Sequence, residues 1–174
     1  MEHNFLITGK PGSGKSTLIQ KLMDRYPERN ISGIVTPDIR RNHKRCGFKI
    51  IDIASGNEEI LASVDIKSVK KVSKYGVDVE ALDRIMDKLM ESFPSTDIFM
   101  VDEIGKMELF SKLFQSTLKK IFTSNITIIA TVGKQMNHPI KDFILNKPEV
   151  KLFSLTRQNQ KEVMQNILEI INRA

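Results

Sequence analysis

The sequence predicts a three-layer α/β fold, with a mostly parallel sheet covered by helices on both faces. Three observations carry that expectation. Short apolar runs alternate along the chain with segments whose apolar residues recur at three and four positions, the signature of strands exchanged for helices. A glycine-rich loop, Gly9-Lys10-Pro11-Gly12-Ser13-Gly14-Lys15-Ser16-Thr17, stands between the first apolar run and the first helical pattern. The length, 174 residues, suits one domain with a real core, so 1–174 is read as a single unit.

The elements follow in order. Phe5-Leu6-Ile7 marks a buried strand over about 4–8, and Leu18, Ile19, Leu22 and Tyr26 mark a helix over about 15–26 that Pro27 stops. A second strand is expected at about 31–36. The alternation then breaks. Phe48–Ile53 and Ile60–Val64 flank Ala54-Ser55-Gly56-Asn57, which reads as a β-hairpin extension near residues 47–64.

Leu82, Ile85, Met86, Leu89, Met90 and Phe93 give the clearest helix, with Asp78 as N-cap and Pro94 at its end. Ile98-Phe99-Met100-Val101 is a buried strand that ends in Asp102-Glu103. A helix at about 111–123 and a core strand at about 126–131 come next. A short helix near 138–145, a strand near 150–154 and a helix at about 158–172 complete the chain.

The loop fits G-x-x-x-x-G-K-[ST], the Walker A pattern, in the strand–loop–helix setting it requires. Its glycines let successive N–H groups turn inward toward phosphate oxygens, and the following helix adds its positive end. Lys15 can reach the outer phosphates, and the Ser16 hydroxyl can ligate Mg²⁺. The apolar run ending in Asp102-Glu103 is the matching Walker B half, because a parallel strand delivers its last residues to the crevice beside the loop. Asp102 would hold Mg²⁺ through water, and Glu103 is the candidate to deprotonate a water in line with the γ-phosphate.

Weaker candidates surround these. Thr131 ends the next core strand, where its hydroxyl could touch phosphate. Glu108 could orient a basic group or be a solvated acid. Arg40, Arg45, Lys106 and Arg157 could each add positive charge in the transition state.

Net charge is +6 and the pI near 9.4. Arg40 to Lys49 holds five cations and no acid, yet Phe48 is its only aromatic, so a stacking platform for single strands is not expected. Cys46 is the lone cysteine, which fits a reducing cytoplasm. No apolar run approaches the roughly 20 residues of a membrane span. Met1-Glu2-His3-Asn4 leads straight into the first strand, so no secretory signal is expected.

Several blocks taken together resemble a known family. They are the loop, Gly33-Ile34-Val35-Thr36-Pro37-Asp38-Ile39-Arg40, Arg45-Cys46-Gly47-Phe48, Tyr75-Gly76-Val77-Asp78, and Val101-Asp102-Glu103-Ile104-Gly105-Lys106-Met107-Glu108-Leu109. The resemblance is to the small P-loop nucleoside-triphosphatases, a family with archaeal, thermophilic bacterial and human members. It implies a RecA-like P-loop fold and Mg²⁺-dependent hydrolysis of nucleoside 5′-triphosphates to diphosphates with broad base tolerance. The nucleotide-binding set is then Gly9 to Thr17 with Asp102, Glu103 and Gly105. The expected partner is the triphosphate, with no membrane, no specific nucleic acid and a monomeric state. A small P-loop kinase and a nucleotide-gated RNA-binding module are the alternatives. The block before Arg45 departs from the family, since Arg41-Asn42-His43-Lys44 lacks its usual glycine.

Overall fold

The structure, a computed structural model, describes residues 3–173. Met1 and Glu2, at the head of the segment expected to carry no secretory signal, lie outside them. The elements run β1 (Asn4–Gly9), α1 (Lys15–Met23), β2 (Ile31–Val35), β3 (Asp38–Arg41), β4 (Lys44–Asp52), β5 (Glu58–Ser63), β6 (Lys71–Val72) and β7 (Tyr75–Val77). There follow α2 (Val79–Ser92), β8 (Ile98–Ile104), α3 (Lys112–Ile121), β9 (Thr127–Gly133), α4 (Pro139–Leu145), β10 (Val150–Ser154) and α5 (Gln160–Arg173).

The strands form one sheet in the order β10-β1-β9-β8-β2-β4-β5-β7-β6, with β3 paired to β4. From β10 to β2 every pairing is parallel. Side chains alternate across that half, as a period of two demands. Phe5, Ile7, Ile98, Met100 and Ile129 point into one core with Leu18, Leu22, Val163 and Ile167 of α1 and α5. Leu6, Phe99, Val101, Ile128 and Ala130 point into the other, with α2, α3 and α4. The three-layer α/β expectation is therefore met, and β1 is buried at all six positions. Each fully buried leucine, isoleucine or phenylalanine contributes about 1.5–3 kcal/mol relative to exposure, so these two cores hold the sheet edge that carries the loop.

Several boundaries differ from expectation. The first helix ends at Met23 rather than near 26. Its end tightens into three-residue turns, Arg25 N–H to Leu22 O and Tyr26 N–H to Met23 O, because Pro27 bars helical geometry at the residue before it. Tyr26 stays buried and donates its hydroxyl to Asn172 at 3.3 Å. The Asp78 cap is as expected, accepting from Ala81 N–H at 3.0 Å.

The hairpin expected near 47–64 is present as β4 and β5, but the antiparallel extension is wider than that. β3 pairs with β4 through a tight turn with Asn42 and His43 at φ 51° and 62°. β7 pairs with β5 and, across Ser73 at φ 54°, with β6. These strands are only two to four residues long, too short to carry an apolar alternation. Asn42 is the one local signal of the turn, as asparagine tolerates the left-handed region.

Candidate active site

β1, β8 and β2 run parallel, so their C-terminal ends meet at one edge of the sheet. The loop after β1 lies there. Ser13 N–H closes a turn onto Lys10 O at 3.1 Å, and Gly14 is the N-cap of α1 in the left-handed region, φ 96°. No side chain caps this helix end, so its first N–H groups are donors of the kind that take phosphate. Lys10, Pro11, Ser16 and Thr17 line the loop and Ser13 is buried within it. The Lys15 ammonium donates to Gly9 O at 3.0 Å and Lys10 O at 3.4 Å, which keeps its charge within the loop.

The segment after β10 braces this loop from outside. Arg157 Nε donates to Gly12 O at 3.0 Å, and Gln160 Nε2 donates to Ser13 O at 2.9 Å. A Cβ on Gly14 would run into the Gln160 amide. Gly14→Ala therefore puts a side chain at a left-handed φ and should destabilise the fold by more than about 1 kcal/mol, while the flexible Gln160 amide can swing aside. Urea unfolding of the variant measures it; a midpoint equal to that of the parent would show that the φ constraint does not act at this position. Gln160 carries no signal in the sequence, since a glutamine at the start of a helix is common on any solvated surface.

At the end of β8, Asp102 is held from two sides. Its Oδ1 accepts from the Thr131 hydroxyl at 2.6 Å, and its carbonyl accepts from Thr36 N–H at 2.8 Å and the Thr36 hydroxyl at 2.9 Å. Thr131 is fully buried, and β9 continues past it to Gly133. The expected strand-terminal hydroxyl thus stands behind Asp102, inside the strand. In the sequence Thr36 stands only within the Gly33–Arg40 block of the resemblance, with no role assigned to it, although it follows β2 at the same sheet edge.

The peptide bond between Asp102 and Glu103 is cis. Burial pushes the Glu103 carboxyl up from its ordinary range; the Lys15 charge pulls it down and Asp102 pushes it further up. Lys15 and Glu103, read from two distant motifs, therefore share one electrostatic environment.

Glu108 lies on the 3-10 turn Glu108–Phe110 and is only 4% exposed, so the solvated alternative is overturned. Burial pushes its carboxyl up to about 7. Its own N–H, the Thr36 hydroxyl and Gly105 N–H work against that rise, and the Glu103 charge adds to it. Gly105 is wedged between the two acids: a Cβ there would lie 2.6 Å from Glu108 Oε2 and 3.3 Å from Glu103 Oε1. Expected in the nucleotide-binding set, Gly105 has this structural demand of its own.

The remaining cations divide. Arg157 is on the loop. Arg40 and Arg45 both pair with Asp38, at 2.8 and 3.3 Å, on the β3–β4 hairpin. Slight burial opposes it, but Arg45 and Arg40 hold the Asp38 carboxyl below its ordinary value. Lys106 is exposed on the turn after β8.

Among the described residues no cluster of three or more histidine, cysteine or acidic side chains forms a metal cage. The Ser16 hydroxyl and Asp102 carboxylate are oxygen donors of the kind Mg²⁺ takes one or two of when water and phosphate complete its shell.

The chain as a whole is similar to known proteins. The NTPase family matches residues 4–168. The nucleoside-triphosphatase THEP1 of Thermotoga maritima is 41% identical over 168 residues, covering 96% of this chain and 94% of the relative. That of Methanothermobacter thermautotrophicus is 34% identical over 171 residues, covering 96% and 95%. The crystal structure of THEP1 from Aquifex aeolicus superposes with a TM-score of 0.85 at 33% identity, over 96% of this chain and 98% of that one. The solution structure of a human cancer-related nucleoside triphosphatase gives 0.82 at 28% identity, over 100% and 99%.

Proposed function

This chain belongs to the NTPase family, and from that premise we propose Mg²⁺-dependent hydrolysis of nucleoside 5′-triphosphates to diphosphates and phosphate at the Lys15–Glu103 edge. Hydrolysis of nucleoside triphosphates itself follows from the family. The observation that carries the finer reading is the half-buried Glu103 carboxylate, its basicity raised by desolvation, within reach of the Lys15 charge. A phosphate-holding cation and a proton acceptor then serve one reacting centre.

In this reading the loop N–H groups and Lys15 bind the phosphates. Ser16 and Asp102 would hold Mg²⁺, which when bound would supply charge neutralisation on the phosphoryl oxygens. Thr131 keeps Asp102 oriented, and Glu103 accepts the proton of the attacking water. Arg157 is the favoured extra cation, because its side chain already bonds the loop; Arg40 and Arg45 would first have to leave Asp38. Base tolerance is broad, since every contact named is to the phosphate end that all such substrates share.

The working unit in this reading is a monomer. No specific nucleic-acid site is expected on the basic β3–β4 hairpin, where the exposed Arg40, Arg41 and Arg45 already pair with Asp38 and Asp65. A cytoplasmic location suits the lone, free Cys46. Among the described residues no helix is long and apolar enough to cross a membrane.

Product analysis tests the scheme. Incubation with each nucleoside triphosphate, with and without Mg²⁺, should release phosphate and diphosphate only when Mg²⁺ is present. Release unaffected by a chelator, or phosphate appearing only on an added acceptor, would overturn it.

A further inference from the structure

We propose that Glu108 is a positioning residue for hydrolysis, acting through Thr36 to set the end of β8 that carries Asp102 and Glu103. The inference rests on the reading of Glu103 as the base.

One proton is decisive. The Thr36 hydroxyl has a single hydrogen, which it donates to Asp102 O at 2.9 Å. The same hydroxyl lies within hydrogen-bonding reach of the Glu108 carboxyl. A hydroxyl can accept while it donates. A neutral Glu108 therefore gives its proton to Thr36 Oγ1 while Thr36 gives its own to Asp102, and the relay is continuous. An ionised Glu108 is acceptor only and competes for the Thr36 hydrogen, which then leaves the Asp102 carbonyl. Thr36 N–H still holds that carbonyl, but the second bond is lost.

The surroundings suit the neutral form. Glu108 is 4% exposed, folded back against Gly105, where any side chain would displace it. The charged group facing it from β8 is Glu103, of like sign. From the end of β2 comes the Thr36 hydroxyl. On the α2–α3 side Asp83 is bonded to Ser111, whose N–H bonds Glu108 O through the backbone. Burial brings the carboxyl up to about 7, so the relay is expected to open as pH rises through neutrality. The neutral form is the competent one, and turnover should decline on that alkaline side.

The test compares Glu108→Ala, Glu108→Gln, Thr36→Val and Glu103→Gln in the full chain, measuring kcat and KM for ATP with Mg²⁺ across the neutral pH range. Glu108→Ala and Thr36→Val should lower kcat by about 10- to 100-fold, the scale of a misplaced catalytic group, with KM within about threefold. Glu108→Gln can still donate to Thr36 but cannot ionise. It should keep kcat within about threefold and lose the alkaline decline of the parent. Parental kcat in Thr36→Val or a folded Glu108→Ala would overturn the proposal. So would a Glu108→Gln as damaged as Glu108→Ala, or one that keeps the decline. If Glu108→Ala fails to fold, Glu108→Gln and Thr36→Val decide. Full turnover in Glu103→Gln would sink the underlying reading of the base. An inactive Glu103→Gln beside fully active Glu108→Ala and Thr36→Val would sink this inference alone.

Discussion

Glu103→Gln is expected to lower turnover by about 10²–10⁴-fold while leaving nucleotide affinity within a few-fold, the range for loss of a general base. The amide preserves size and hydrogen bonding, so the fold around the end of β8 should persist. What it cannot do is accept a proton from water. Glu103 is well placed for that acceptance because burial raises the basicity of its carboxylate while the Lys15 charge keeps the ionised form accessible. Substrate binding runs through the loop on β1 and α1, a different part of the chain, and so the two parameters should separate. A measurement of kcat by phosphate release, with affinity by fluorescent nucleotide titration, makes the comparison. Near-parental kcat in the folded variant would make Glu103 structural and return the water-activating role to an unassigned group.

Lys15→Ala should cost about 10²–10³-fold in kcat, the loss seen when one preorganised electrostatic donor is removed, with weakened binding in addition. The ammonium is held by Gly9 O and Lys10 O inside the loop, not by the core, so its loss should spare folding. Its charge interacts more strongly as negative charge builds on the transferring phosphoryl group, and the chemical step should suffer beyond binding. Thermal unfolding confirms that the variant is native, and saturating kinetics separates kcat from KM. A folded Lys15→Ala that turns over normally would remove the loop from the active site altogether.

The phosphate loop and the acidic strand end are legible in the sequence because both are local. Loop chemistry needs glycine at fixed offsets from Lys15 and Ser16, and a buried parallel strand must read as an unbroken apolar run before Asp102. The alternation of strand and helix is legible for a related reason: both faces of the central sheet are covered, so each element carries a strong apolar period. Helix α2 shows this best, with its cap at Asp78 and its core face at Leu82, Ile85, Met86 and Leu89 all set by spacing.

What the sequence alone determined about this protein is thus the part written in nearest neighbours: the loop, the acidic pair at the end of β8, the layers and their order. Tertiary structure alone decided the rest, since it depends on which groups the folded chain buries and pairs. Only folding brings Gln160 and Arg157 onto the loop nearly 150 residues upstream. Only folding buries Glu108 against Gly105 and within reach of Thr36, turning an acid that could have been solvated into a group with its carboxyl raised to about 7. Arg40 and Arg45, close together in a basic run, read as available for phosphate, but the β3–β4 hairpin folds both onto Asp38. The physical reason is the same in each case: burial and charge pairing are properties of three-dimensional neighbours, and a one-dimensional spacing rule sees only those that secondary structure brings together.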